Sequence, residues 1–224
     1  MTAAASQTAI EFARLEIGYG TERVAGPLDG RLAAGRVHLL TGPNGGGKTT
    51  LMRTLLGLLP ALDGRIDGTL GHTVSYVPQL GAIDLGFPVT CLEVVGTGLP
   101  LGIRRAERRS RAAESLEAMG LGDRARHSFA RLSGGQRQRV FVARALCADA
   151  RIIALDEPTA GVDAASSSAI WQAARGLADR GKLVIAVTHD LFRAPEFADR
   201  LLVLDDGQLD EREPSSVTPT ATAR

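Results

Sequence analysis

Ten consecutive residues, Thr41-Gly42-Pro43-Asn44-Gly45-Gly46-Gly47-Lys48-Thr49-Thr50, constrain this chain more than any other feature. From Gly42 they fit the pattern GxxxxGK[ST]. The flanks agree: residues 36–40 read as a buried strand, and residues 48–59 as a helix stopped by Pro60. Glycine lets successive backbone N–H groups turn inward around phosphate oxygens, and a helix starting near Lys48 presents its positive end to them. Lys48 would reach the β- and γ-phosphates, and Thr49 offers a hydroxyl to Mg²⁺. The stretch from Gly42 to Thr50 is therefore expected to bind a nucleoside triphosphate.

The rest of the chain supplies a frame for such a loop. Residues 10–17 alternate apolar and polar as a strand does and lead into a turn at Gly18 to Gly20, and residues 64–78 read as short strands. Residues 82–145 are more helical, with Ala112, Ala113, Leu116 and Met119 on one helix face. Beyond them α/β alternation returns, with strands at 151–155, 183–188 and 201–204 and a helix at 165–180. The runs Ile152-Ile153-Ala154-Leu155 and Leu183-Val184-Ile185-Ala186-Val187 suit central parallel strands covered on both faces. The expectation is an α/β domain over residues 10–210, with a helical insertion at about 82–145 and disordered ends at 1–9 and 211–224.

Composition removes several alternatives. The 26 basic and 25 acidic residues leave a net charge of +1, so the chain lacks the overall electrostatic footprint of a nucleic-acid or anionic-membrane binder. Aromatic residues make up 4%, too few for a base-stacking platform. No apolar run approaches the roughly 18 to 20 residues of a membrane helix, and residues 1–8 lack the segments of a secretion signal. Cys91 and Cys147 lie far apart and read as reduced thiols of a cytosolic protein.

Two further segments carry chemistry. In Ile152-Ile153-Ala154-Leu155-Asp156-Glu157-Pro158 a buried strand delivers two carboxylates to the carboxyl edge of a sheet, where α/β proteins bind ligands. Asp156 suits Mg²⁺, held partly through water, and Glu157 suits orienting or deprotonating the attacking water. In Leu132-Ser133-Gly134-Gly135-Gln136 a hydroxyl and free amides at a helix start form a second anion-binding nest.

Taken together, these three segments resemble the ATP-binding-cassette (ABC) ATPases, whose signature is LSGGQ, and the resemblance runs over residues 10–209. It implies a P-loop NTPase core with an inserted helical subdomain and an N-terminal antiparallel β subdomain. It also implies ATP and Mg²⁺ as ligands. Two cassettes, either two copies of this chain or a pair, would meet head to tail, each ATP lying between the P-loop of one and Ser133, Gly134, Gly135 and Gln136 of the other. By the same resemblance Tyr19 stacks on adenine, Gln79 touches Mg²⁺ and the water, and His189 contacts the γ-phosphate and positions the water with Glu157. Asp163, in Ala160-Gly161-Val162-Asp163, takes the acidic position of the D-loop, although the usual Ser-Ala-Leu-Asp is absent. Catalysis then falls to Glu157, His189, Gln79 and Lys48.

Within the family, residues 79–98 resemble the zinc, manganese and iron-chelate uptake subgroup, through Asp84, Phe87, Pro88 and Val89. That implies a subunit on the cytoplasmic face of the membrane which docks on integral permease subunits around 79–98, served by an extracytoplasmic binding protein. His38, His72, His127 and His189 are dispersed, without cysteines at ligand spacing, so the chain shows no site for a transported metal. The alternatives are another importer, an exporter subunit, or an ABC ATPase working on DNA or the ribosome. The last usually needs a coiled-coil insertion or a second cassette, for which 224 residues leave no room.

Overall fold

The computed structural model describes residues 9–68, 72–79 and 88–216. Asp84 and Phe87 lie outside the described residues, as do residues 1–8 and 217–224. The chain opens with a long hairpin, β1 (Ala9–Tyr19) and β2 (Glu22–Ala33). Next come β3 (Val37–Thr41), α1 (Lys48–Leu55), β4 (Asp63–Asp67) and β5 (Val74–Val77). A helical part follows, with α2 (Cys91–Gly96), α3 (Arg105–Ala118) and α4 (Gly134–Cys147). The chain closes with β6 (Ile152–Asp156), α5 (Ala164–Asp179), β7 (Leu183–Val187), β8 (Arg200–Asp205) and β9 (Gln208–Arg212).

Two sheets result. The larger has the order β5-β6-β7-β3-β8-β9, parallel except for β9, and the smaller is an antiparallel β2-β1-β4. β3, β6 and β7 are buried at every position because both faces of the large sheet are covered. Alternation divides their side chains between two cores. Val37, Leu39, Ile153, Leu155, Val184 and Ala186 face the helices α2 to α5. Leu40, Ile152, Ala154, Leu183, Ile185 and Val187 face α1 and the small sheet. Gly30 belongs to this second packing, since a Cβ there would lie 2.4 Å from the Phe12 ring.

Several boundaries differ from the sequence reading. Ala9, expected in a disordered end, already belongs to β1, because it pairs with Ala33 of β2. β1 continues through Gly18 to Tyr19, because Gly18 approaches the Glu22 carbonyl more closely than any side chain would allow. α1 stops at Leu55 rather than residue 59. Leu56 N–H and Gly57 N–H close on the carbonyls of Met52 and Thr54, and Gly57 takes a left-handed φ of 71°, which ends the helix. At the other end β9 runs past residue 210 to Arg212, held by its antiparallel ladder on β8 and by an ion pair of Arg200 with Glu211 at 2.9 Å. α3 buries Ala112 and Leu116, and Met119 just beyond it, as its periodicity predicts, while Ala113 is only half-buried.

Candidate functional site

Parallel strands end on one edge of their sheet, and that edge gathers most of the chemistry. β3 ends at Thr41, β6 at Asp156 and β7 at Val187, with Asp156 paired beside Val187 and Leu40 on the other side of the same strand. Gly42 through Gly47 therefore lie beside Asp156, Glu157, Thr188 and His189 on the carboxyl edge, where ligands of α/β sheets sit.

The loop conformation is specific to glycine at two points. Gly42 has φ 142° and a Cβ there would stand 2.0 Å from the Leu204 carbonyl oxygen. Gly47 has φ 91° as it enters α1, and a Cβ would stand 2.7 Å from Val24. Lys48 is buried and its Nζ donates to the carbonyls of Gly42 (3.0 Å) and Pro43 (2.7 Å), so the ammonium lies under the loop it follows. Thr49 Oγ1 donates to Asp156 Oδ1 at 3.1 Å across 107 residues of sequence. Tyr19, 52% exposed, reaches from the end of β1 to place its hydroxyl 3.2 Å from Thr50 Oγ1, which leaves an exposed aromatic ring beside the phosphate-loop helix.

Glu157 follows the strand with φ 48°, a left-handed conformation uncommon for a residue with a side chain. Its N–H is held by the Val187 carbonyl at 3.0 Å. The Glu157 side chain is only 13% exposed, and its Oε2, which makes no hydrogen bond, lies 2.8 Å from His189 Nδ1. His189 itself is 70% exposed, so a covered carboxylate stands next to an accessible imidazole. Gln79 sits two residues past the end of β5 and is exposed.

The donor set can be compared with the chemistry of a divalent ion. A threonine hydroxyl and one buried carboxylate are hard oxygen ligands, the partial set Mg²⁺ accepts when phosphates and waters complete its shell. Among the described residues no group of three or more His, Cys, Asp or Glu is arranged to hold a metal by itself. The residues present therefore fit a nucleotide-bound Mg²⁺.

Ser133 to Gln136 stand elsewhere, at the start of α4. Ser133 Oγ accepts from Gln136 N–H at 3.3 Å and Gln136 Oε1 accepts from Ser133 N–H at 3.0 Å, a reciprocal cap. Among the described residues no hydrogen bond joins this turn to residues 42–49, and Gly134 has open space where a side chain would be. Asp163 lies nearby, its Oδ2 3.7 Å from a Cβ built on Gly135. It caps α5, accepting from Ser166 N–H at 2.9 Å and Ser166 Oγ at 2.7 Å, which hold its carboxyl below the usual carboxylate range.

Two residues of this edge escape a reading of the sequence. Tyr76 OH donates to Asp156 Oδ2 at 2.8 Å, and Arg53 donates to the same phenol from Nη2 at 3.2 Å. Neither belongs to a local pattern; the one hint is a polar-tipped ring three residues before Gln79, on the edge strand β5.

The fold and this edge define a P-loop nucleotide-binding ATPase. Residues 26–160 match the ABC transporter family, and the chain belongs to it. It is 39% identical over 212 residues to the zinc transport system ATP-binding protein TroB of Treponema pallidum, covering 90% of this chain and 80% of that protein. It is 38% identical over 206 residues to the manganese transport system ATP-binding protein MntB of Bacillus subtilis, covering 87% and 82%. A daunorubicin resistance ATP-binding protein, DrrA3 of Streptomyces coeruleorubidus, is 38% identical over 216 residues, covering 91% and 67%. Among solved structures, an inward-facing ABC transporter assigned to the metal-chelate type aligns with TM-score 0.81 at 27% identity, covering 93% of this chain and 84% of that one. A dimeric bacterial ABC transporter cassette aligns with TM-score 0.79 at 27% identity, covering 92% and 98%. The chain is thus an ATP-binding, ATP-hydrolysing ABC subunit, and among its described residues no helix is long and apolar enough to cross a membrane.

Proposed function

We propose that this ATPase powers the import of a divalent metal ion, zinc or manganese, or of a metal chelate. The observation that carries the reading is the 38–39% identity to zinc and manganese transport subunits over most of the chain, joined to the sheet edge that gathers Lys48, Thr49, Asp156, Glu157 and His189. The drug-resistance relative is nearly as similar, so overall identity alone does not set the substrate. Import rests on the resemblance at residues 79–98 together with the metal-transport relatives.

In this reading one ATPase domain, from about residue 10 to 212, does the chemistry. The Gly42–Gly47 amides and Lys48 hold the β- and γ-phosphates, with Tyr19 against the adenine. Thr49 and Asp156 would hold Mg²⁺, with Gln79 alongside; the ion would offset phosphate charge and polarise the γ-phosphoryl group. Glu157, whose Oε2 is free of hydrogen bonds, aligns or deprotonates water for in-line attack, and His189 supports that water. The bond from the γ-phosphorus to the bridging oxygen breaks, releasing ADP and phosphate. Ser133 to Gln136 serve the nucleotide of a second cassette, which explains their separation from the P-loop; the capped, open helix start supports this. Asp163 caps α5 within its own chain, and the D-loop it ends would face the second cassette. The subunit works on the cytoplasmic membrane face with integral permease subunits docked near residues 79–98 and an extracytoplasmic binding protein delivering the metal.

The test is uptake of radioactive zinc and manganese by cells producing the wild-type chain or Glu157→Gln. Uptake of either metal that the variant abolishes supports the proposal. Unchanged metal uptake alongside loss of ATP hydrolysis refutes metal import while leaving the ATPase intact.

A further inference from the structure

Asp156 is buried, and both of its oxygens are committed. Oδ1 accepts from Thr49 and Oδ2 accepts from the phenol of Tyr76 at 2.8 Å. Two hydrogen bonds from opposite sides fix the rotation of the carboxylate plane, which a single bond from Thr49 would leave free.

The sheet explains how Tyr76 reaches this position. β5 pairs parallel with β6, with Tyr76 beside Ala154. Ala154 and Asp156 are two apart and share the face toward α1. The small Ala154 side chain leaves room for the Tyr76 ring to lie along β6 and extend its hydroxyl to the next residue on that face. Arg53, on the facing helix α1, donates to the phenol oxygen from Nε at 3.4 Å and Nη2 at 3.2 Å, and its guanidinium carbon lies 5.8 Å from the ring centroid. A phenol has one proton, and with the guanidinium occupying its oxygen as donor, that proton is directed to Asp156. The polarity of the chain Arg53 to Tyr76 to Asp156 is thereby set.

From this geometry we propose that Tyr76, held by Arg53, is a positioning residue that fixes the Asp156 carboxylate for Mg²⁺. The proposal rests on the reading of Asp156 as a Mg²⁺-facing group. Partners that orient a metal-facing carboxylate commonly change metal affinity or activity by about 10- to 100-fold when removed. Tyr76→Phe keeps the ring in its packing and removes only the hydroxyl.

The experiment titrates Mn²⁺, standing in for Mg²⁺, into the full chain saturated with a non-hydrolysable ATP analogue, following bound Mn²⁺ by electron paramagnetic resonance. Wild type, Tyr76→Phe, Arg53→Gln and Asp156→Asn are compared. The expected result is a half-saturating Mn²⁺ concentration raised about tenfold in Tyr76→Phe, with nucleotide affinity measured without divalent ion within about twofold of wild type. Steady-state hydrolysis by Tyr76→Phe should show kcat reduced with KM little changed, a split that loss of packing alone would not produce. Mn²⁺ binding that is lost in Asp156→Asn and unchanged in Tyr76→Phe overturns the role of Tyr76 and leaves the site assignment standing. Unchanged binding in Asp156→Asn overturns the assignment of Asp156 itself. Should Tyr76→Phe fail to fold, Arg53→Gln decides, since a raised half-saturating concentration supports the relay and an unchanged one refutes it.

Discussion

Alanine at Gly42 and alanine at Gly45 should have very different consequences, although both glycines lie in one loop and both have positive φ. At Gly42 the φ of 142° is open to glycine alone, a strain of about 1–3 kcal/mol for another residue. A Cβ would also stand 2.0 Å from the Leu204 carbonyl oxygen. Relieving that contact requires the loop to move against β8 by about an ångström, an overpacking cost of about 1–3 kcal/mol. At Gly45 the φ of 78° is ordinary left-handed backbone and nothing lies within 4 Å, so only about 1–2 kcal/mol applies. At roughly 2–4 °C per kcal/mol for a chain of this size, Gly42→Ala should melt on the order of 5 °C below Gly45→Ala. Thermal unfolding of the nucleotide-free chain by circular dichroism measures the difference. Melting temperatures within a degree of each other would refute the argument from the Leu204 contact.

Other outcomes follow from the same geometry. Glu157→Gln should lower kcat at least about 100-fold while nucleotide affinity stays near wild type, as read by steady-state hydrolysis and fluorescent-nucleotide binding. A variant that turns over normally removes Glu157 from its role. Tyr19→Ala should weaken ATP binding about tenfold or more through loss of stacking, and Tyr19→Phe should restore it; equal affinities for both variants would exclude the ring as the adenine platform. The Asp199 carboxyl is raised by burial, but the Val37 N–H at 2.8 Å and the Arg175 guanidinium at 2.6 Å outweigh this and hold it below the usual range. Its stabilisation is therefore complete above about pH 4 and is lost as pH falls through the depressed folded value. Acid titration of the melting temperature should show Asp199→Asn less stable than wild type at pH 7, with the gap closing toward pH 2; a gap independent of pH would contradict the assignment.

What the sequence by itself determined was local. The turn from β3 into α1 is written in consecutive residues, because each glycine, the lysine and the threonine act within a few bonds of one another. The cap of α4 is equally local: Ser133 and Gln136 satisfy each other's backbone across three residues. The buried strands β6 and β7 were legible because strands covered on both faces need uninterrupted apolar side chains. β2 was not legible in the same way, since Gly26, Pro27, Asp29 and Gly30 interrupt it, and it is a strand because β1 supplies the ladder.

Tertiary structure alone decided which groups meet. Parallel packing carries Thr49 to Asp156 across 107 residues and Tyr76 to Asp156 across 80, while the small antiparallel sheet over α1 brings Tyr19 to Thr50 across 31. Such contacts depend on strand order and register, which are set by how two apolar faces share one sheet. No spacing along the chain encodes that sharing, so the partners of Asp156 appear only when β5, β6 and α1 come together around it.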